Sequence, residues 1–581
     1  MDQPVVMHRT PQPTFAEMFT PKLVTILREG YDWRAFRADA VSGLTVAIVA
    51  LPLSMAIAIG SGLSPDKGLY TAVIGGFLIS ALGGSRFQVG GPAGAFIVLI
   101  ASIVERHGYD GLVLATILAG LMMMATGFLR LGTYIKYIPF PVTVGFTAGI
   151  AVIISASQIK DLLGLDMVKE PAALVPKLVA IAENIGTAKP DTVAIAVMTI
   201  LMIVILRRLR PKWPGLLIAV GSAAACAALL HLDVATIGSR FGGIPHTLPG
   251  PSLPAFDLAK IRAVFPDAVS IALLGAIESL LSAVVADGMT GRRHRSNSEL
   301  VAQGTANIAS VIFGGMCVTG TIARTATNVR AGAHGPVSGM LHALYVLLFM
   351  LVAAPLASYI PLAALGGVLA VVAWNMAEKQ EFASLLRASR GDALVLMATF
   401  MLTIFADLTV AIATGVTLGA FLFLHRMAEA VEIQGGTPLV VEDVADAAGG
   451  ARSEYDSERL NGDAIVYRIN GAFFFGATAA VNSTLDRIGE HPKIFVLDFT
   501  DVPLVDSTAA KTLEGFVHKL HHHGTTVYFT GARASVRRTL LAAALRPPIV
   551  LYAATPSDAI ALGRAPRSSE PPSVHLEGGR P

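Results

Sequence analysis

Long stretches without a single charged residue leave this chain few ways to fold. Residues 40–65, 111–129, 137–159, 213–232, 300–323 and 408–424 contain no Asp, Glu, Lys or Arg. A helix needs roughly 20 apolar residues to cross a bilayer. Inside hydrocarbon the backbone must satisfy its own hydrogen bonds, so such runs become helices. Residues 335–377 are long enough for two spans, with Pro355 and the Tyr359-Ile360-Pro361 turn marking the break. Only 15% of the 581 residues are charged, against about 25% in soluble domains. The lipid bilayer is therefore the first expected partner. The net charge of +3 carries no signature of nucleic-acid binding, and no nucleic-acid partner is expected. Both cysteines, Cys226 and Cys317, fall in apolar runs and read as packing residues rather than a disulfide pair.

The runs resolve into about 14 spans: 43–60, 68–83, 92–105, 111–130, 140–160, 191–207, 213–231, 266–287, 299–315, 321–332, 336–354, 361–376, 391–406 and 407–425. Two of them, 92–105 and 321–332, are too short to cross the bilayer alone. Basic clusters at Arg130/Lys136, Arg207/Arg208/Arg210/Lys212, Arg292/Arg293/Arg295, Arg387/Arg390 and Arg426 follow even-numbered spans. The positive-inside rule puts these loops and both termini in the cytoplasm. The first 40 residues are polar and contain proline, so no cleavable signal peptide is expected.

Each short span is the third of its seven, and each follows a glycine-rich break: GSRFQVGGPAGAF at 84–96 and FGGMCVTGTIART at 313–325. Interrupted helices at corresponding places in two halves point to a transporter site. An odd number of spans per half makes the repeats inverted, so the half-helix N-termini meet near the midplane. Free backbone N–H groups and the helix dipole favour an anion there. Pro92 suits a first helical turn, and Arg324 falls in the first turn of the second half-helix. The plainer alternative is that glycine and proline only let helices pack closely.

Glu278 lies in the middle of the apolar segment ALLGAIESLLSAVVAD (272–287). An acidic residue at a helix centre costs about 2.5–3.5 kcal/mol on the translocon scale, and such residues mark ion pathways. Two readings stay open: a carboxylate that binds a proton or cation, or a fixed strut neutralised by Arg324.

Past Arg426 the character changes. Residues 427–463 are acidic and polar, a linker with a surface loop. From 464 to 563, apolar strands alternate with helices, as in a small α/β domain. Asp506-Ser507-Thr508 falls where a loop enters a helix, a natural N-cap and a candidate anion or phosphorylation point at Ser507. Three consecutive histidines, His521–His523, cannot share a helix face and read as a solvated helix end. Residues 564–581 have the composition of a disordered tail.

Together these motifs resemble the SulP/SLC26 family of anion transporters. The resemblance covers roughly residues 35–563 and rests on LTVAIVALPLSMAIAIGSGLSPDKGLY (44–70), GGPAGAF (90–96), GAIESLLSAVVAD (275–287) and ELVAQGTANIASVIFGGMCVTGTIARTATNVRAG (299–332). Beyond the membrane part, DFTDVPLVDSTA (498–509) looks like the core of a STAS domain. The resemblance implies an α-helical polytopic membrane protein with a UraA-like 7+7 inverted repeat over residues 41–426, preceded by a cytoplasmic segment, 1–40. Segments 1–4 and 8–11 would form a core domain and segments 5–7 and 12–14 a gate. A cytoplasmic STAS domain follows, in a homodimer at the inner membrane that works by an elevator-like shift.

The resemblance also implies a substrate site between the N-termini of segments 3 and 10. Pro92, Ala93 and Gly94 lie on one side and Ala323, Arg324 and Thr325 on the other, with Leu53 and Ile57 of segment 1 as lining. Animal members tend to carry Gln where Leu53 stands, aromatic residues where Ile57 and Ala93 stand, and Ser where Ala323 stands. Backbone N–H groups must therefore do more here. Glu278 matches the acidic position linked to cation coupling, and Ser282 lies one turn on. Glu fits a proton, and Ser282 leaves sodium open. The expected function is secondary transport of a small inorganic anion, sulfate first, with bicarbonate and C4-dicarboxylates as alternatives. A different alternative is a STAS-mediated sensor with vestigial transport. No enzymatic activity, cofactor or metal is expected.

Overall fold

A computed structural model describes residues 14–134, 138–167, 170–171, 173–210, 213–254, 257–406, 408–429, 432–434, 464–474 and 492–564. Most of the expected linker, 435–463, and the tail from 565 onward lie outside the described residues. The chain divides into two compact units, Met1–Gly419 and Ala420–Pro581.

The first unit is helical. Each expected span has its helix: α1 (Trp33–Gly60), α2 (65–82), α3 (94–107), α4 (109–128), α5 (Phe140–Leu163), α6 (Pro190–Leu209), α7 (Gly215–Leu229), α8 (Leu258–Thr290), α9 (Ser296–Ile312), α10 (Ile322–Arg330), α11 (Val337–Ala357), α12 (Leu362–Met376), α13 (Arg390–Phe405) and α14 (Leu408–Glu429). Helices α3 and α4 run on from one another through a kink at Gly108, where φ is +69°. Helix α2 contains a π-helical turn, Thr71–Gly75. Helix α8 begins eight residues ahead of the apolar run that marks it, capped by Asp257, whose side chain accepts from the Ala259 N–H.

Packing sorts these helices into two groups. In one, α11 and α2 lie on α1, α8 and α9 lie on α3 and α4, and α10 bridges α8 and α1. In the other, α12 and α13 pack on α5, while α6 packs on α7 and α12. Glycines let backbones touch: a Cβ on Gly68 would stand 2.0 Å from the Ser54 carbonyl oxygen, and one on Gly304 2.4 Å from that of Gly120. This is the small-residue packing expected where lipid, not water, surrounds the bundle.

The two glycine-rich breaks meet as strands. β1 (Gly90–Gly91) pairs antiparallel with β2 (Thr319–Gly320), with Gly90 opposite Gly320 and Gly91 opposite Thr319. Side chains replace the missing neighbouring strands. Asn307 of α9 accepts from the Val318 N–H and donates to its carbonyl. Thr319 donates to the Gly275 carbonyl on α8, and Asn328 donates to the Phe87 carbonyl. Buried Glu299 of α9 accepts from the Gly84 and Ser85 N–H groups at 2.8 and 3.0 Å, fixing the loop that leads into β1.

The second unit carries a five-stranded sheet, β3 (Glu432–Gln434), β4 (Ala464–Asn470), β5 (Ile494–Asp498), β6 (Thr526–Thr530) and β7 (Leu551–Ala553), in that order. β3 is antiparallel to β4, and the remaining pairs are parallel. Helices α15 (Ser507–His522), α16 (Ala534–Ala542) and α17 (Pro556–Arg564) follow β5, β6 and β7 in the α/β domain. Every residue of β5 is buried, the continuous apolar run typical of a parallel strand covered on both faces. Asp506 caps α15, accepting from the Ala509 N–H at 2.7 Å. His521–His523 end that helix.

Candidate functional site

The β1–β2 pair turns two helix starts toward one place. The chain leaves β1 through Pro92 and Ala93 and enters α3 by a 3₁₀ turn, Gly94–Phe96. It leaves β2 through Thr321 and enters α10. Neither start has a side-chain cap. The first N–H groups of a helix have no intrahelical partner. Two uncapped starts therefore aim donors and two partial positive charges at the space between them. One expectation shifts: Pro92 stands one residue before the N-cap Ala93, outside the first turn, because β1 keeps the backbone extended up to it.

Arg324, the third residue of α10, lies behind this pair and is 1% exposed. Its guanidinium donates to the Gly90 carbonyl at 3.4 Å, the Pro92 carbonyl at 3.2 Å and Ser54 Oγ at 3.1 Å. The strut reading of Glu278 thus has no support, since these three partners are neutral and no ion pair joins Arg324 to Glu278 among the described residues. The positive charge stays close to both helix starts, and among the described residues no carboxylate is in contact with it.

Glu278 is placed by its neighbours on α8. Gly275, Glu278 and Ser282 share one face at i, i+3 and i+7 spacing. The Gly275 carbonyl accepts from Thr319 Oγ1. Ser282 donates to Thr325 Oγ1 at 3.0 Å, and Thr325 Oγ1 also accepts from the Val89 N–H at 3.2 Å. Glu278, half-buried, thus lies on the face of α8 that carries both anchored turns. Glu378, just beyond α12, acts on it electrostatically.

On α1, Leu53 and Ile57 are one turn apart and buried, as is Ala93, whereas Ala323 is exposed. The site is apolar toward α1 and α3 and open over the first turn of α10. Two lining residues escaped the sequence reading. A Cβ on Gly94 would meet Met376 Sδ at 3.2 Å and Ile154 Cδ1 at 3.9 Å. These side chains bring α12 and α5 over the start of α3. A methionine and an isoleucine in apolar runs carry no local signal of this contact.

In the second unit, Ser507 is the exposed first residue of α15, beside its cap. Asp498, at the end of β5, is buried and accepts from Arg468 at 2.8 Å, Thr500 Oγ1 at 2.7 Å and Thr530 Oγ1 at 3.0 Å. Burial alone would raise its pKa, but these donors outweigh it and hold the carboxyl below the usual aspartate range. Cys226 and Cys317 are both free thiols.

Comparison with known proteins bears on both units. The sulfate permease family model matches residues 36–399, and the STAS domain model matches residues 457–557. The chain is 40% identical over 516 residues to "Putative sulfate transporter YvdB" of Bacillus subtilis (strain 168), covering 88% of this chain and 94% of that protein. It is 31% identical over 527 residues to the bicarbonate transporter BicA of Synechocystis sp., covering 87% and 90%. The structure of the murine Solute Carrier 26 family member A9 anion transporter in the inward-facing state superposes with a TM-score of 0.81, over 96% of each chain at 17% identity. That likeness shows the fold.

Proposed function

The chain belongs to the sulfate permease family, a family of transporters rather than enzymes, and from that premise we propose that it is a secondary active transporter of sulfate, coupled to protons. One observation carries the reading: the β1–β2 pair aligns two uncapped helix starts over a single buried arginine. Convergent N–H donors suit a compact oxyanion, whose several oxygens each accept one. An organic diacid needs a second cation for its far carboxylate. Among the described residues, Arg324 is the one basic residue that α1, α3, α8 and α10 bring to the helix starts.

Glu278 is the coupling group. A carboxyl facing the same space takes up a proton when the anion enters, so a dianion does not meet a second bare negative charge. The protonated, loaded core group then moves against the gate group of α5–α7 and α12–α14, and Met376 and Ile154 over Gly94 mark the surface between them. The protein is a homodimer in the inner membrane, with both termini and the STAS domain in the cytoplasm. Ser507 is the regulatory point of that domain.

A second reading, bicarbonate with sodium, is favoured by the similarity to BicA and by the Ser282–Thr325 hydroxyl pair one turn from Glu278. Uptake of labelled sulfate, bicarbonate and fumarate into proteoliposomes, under imposed proton or sodium gradients, separates the readings. Proton-driven sulfate accumulation is expected. Sodium-driven bicarbonate uptake without sulfate transport contradicts it, as does fumarate outcompeting sulfate.

A further inference from the structure

Helix α1 begins with two opposite faces. Ala35, Asp39, Ser42 and Val46, spaced i, i+4, i+7 and i+11 along one side of the helix, are all buried. Trp33, Arg37, Val41 and Leu44 lie on the other side, and all four are exposed, Trp33 by 74%. Hydrogen bonds fix which side turns inward. Asp39 accepts from the His334 and Gly335 N–H groups at 2.6 and 2.9 Å and from the Tyr31 hydroxyl at 2.7 Å. Ser42 Oγ lies within hydrogen-bond reach of the Asn328 carbonyl at 2.8 Å and of its Oδ1 at 2.6 Å. In chain order the outward side therefore reads aromatic, basic, apolar: Trp33 with Arg34 beside it, then Arg37, then Val41 and Leu44.

Arg34 and Arg37 are exposed, as is Arg28 at the end of the helix Lys22–Glu29 just ahead of α1. No ion pair joins any of the three to an acid among the described residues. The nearby acids are engaged elsewhere. Asp39 is buried in the bonds just given, the Asp32 side chain caps α1 by accepting from the Ala35 N–H at 2.8 Å, and Glu29 pairs with Arg86. The Phe36 ring stacks on Trp33 with centroids 5.2 Å apart and backs the indole on its exposed side of the helix. Tryptophan collects at the boundary between hydrocarbon and water, and the guanidinium fork matches the oxygens of a phosphate.

We infer that Trp33, Arg34 and Arg37, with Arg28, form a docking surface for anionic phospholipid headgroups of the cytoplasmic leaflet. Charge complementarity selects the occupant: the patch presents cations whose neighbouring acids are all committed. An acidic protein surface matches the arginines but offers nothing to Val41 and Leu44 on the same side. A phospholipid supplies both, a phosphate for the guanidinium groups and an acyl chain for the apolar residues that follow. The buried side of these same turns holds the loop after α10 through His334 and Gly335, so headgroups bound here anchor that end of the core group.

Tryptophan fluorescence of the full-length protein tests this. Trp213→Phe and Trp374→Phe leave Trp33 as the sole tryptophan. In phosphatidylcholine nanodiscs, a small fraction of phosphatidylglycerol brominated near the headgroup end of its chains quenches Trp33 more strongly than the same fraction of brominated phosphatidylcholine. Arg34→Gln with Arg37→Gln lowers this preference by about fivefold per arginine. Arg34→Lys with Arg37→Lys keeps the charge and retains most of it. Added salt lowers the preference with both arginines in place, an arm that needs no substitution in the patch. Equal quenching by the two lipids overturns the headgroup site, as does a preference that survives Arg34→Gln with Arg37→Gln. Quenching by neither lipid shows the face covered by protein, the STAS domain or a second copy, and overturns it too. None of these readouts depends on which anion is transported.

Discussion

A Cβ on Gly91 would stand 1.6 Å from Nη1 of Arg324. The guanidinium occupies the volume that any side chain at this position would need. Glycine here makes room for a cation, with its own φ in the ordinary range. Gly91→Ala therefore forces the guanidinium off the Gly90 and Pro92 carbonyls and Ser54. Overpacking of this kind costs about 1–3 kcal/mol. Thermal unfolding in detergent should show that loss, and a sulfate titration should show affinity reduced by about tenfold or more. Unchanged affinity in the folded variant removes Arg324's placement from the account of binding.

Glu278→Gln copies the protonated carboxyl. The variant should still exchange labelled for unlabelled sulfate across a proteoliposome membrane. It should fail to accumulate sulfate against a gradient, because no proton is released or taken up. Uphill transport at the wild-type level, with the wild-type response to pH, assigns coupling to another residue.

Ser282 is already committed, donating to Thr325 Oγ1. Ser282→Ala should leave proton-driven uptake in sodium-free buffer intact and cost about 1 kcal/mol of stability from the lost buried hydrogen bond. Uptake that depends on sodium in the wild type and loses that dependence in Ser282→Ala supports the sodium reading in place of the proton one.

Asp498 gives the STAS domain a pH dependence of definite sign. Its folded-state pKa lies below the ordinary aspartate value of 3.8, so its stabilising contribution is complete above that value. The contribution is lost as pH falls through the lowered one. Asp498→Asn should destabilise the domain at neutral pH by about 1.5–3 kcal/mol, the usual worth of hydrogen bonds to a charged group. The gap to wild type should close as the pH is taken below 3.8. Hydrogen exchange on β5 and β6 in the full-length protein reads both limits, and a gap that is constant with pH contradicts the assignment.

Local features of the sequence were the legible ones. Uncharged runs announced the helices, because a bilayer tolerates little else. The two glycine-rich breaks announced the half-helices, because a side chain at Gly90, Gly320 or Gly91 would run into Ile79, Gln88 or Arg324. Asp506 announced the start of α15. Contacts between distant elements left no trace. The direction in which Arg324 points is set by carbonyls more than 230 positions earlier. The closure of Met376 and Ile154 over Gly94 needs three helices in place before it exists. The π-turn in α2 was hidden too, since it does not interrupt the apolar pattern, whereas the kink at Gly108 falls in the charged break between the spans 92–105 and 111–130.

The central claim is that the anion sits between the starts of α3 and α10. Selenate is a sulfate analogue whose selenium scatters anomalously, and crystals grown or soaked with it locate the anion without assumption. The account predicts one anomalous peak between Gly94 and Ala323, within hydrogen-bond reach of first-turn N–H groups of both helices, and loss of that peak in Gly91→Ala. A peak elsewhere in the bundle at saturating selenate, with this position empty, contradicts it.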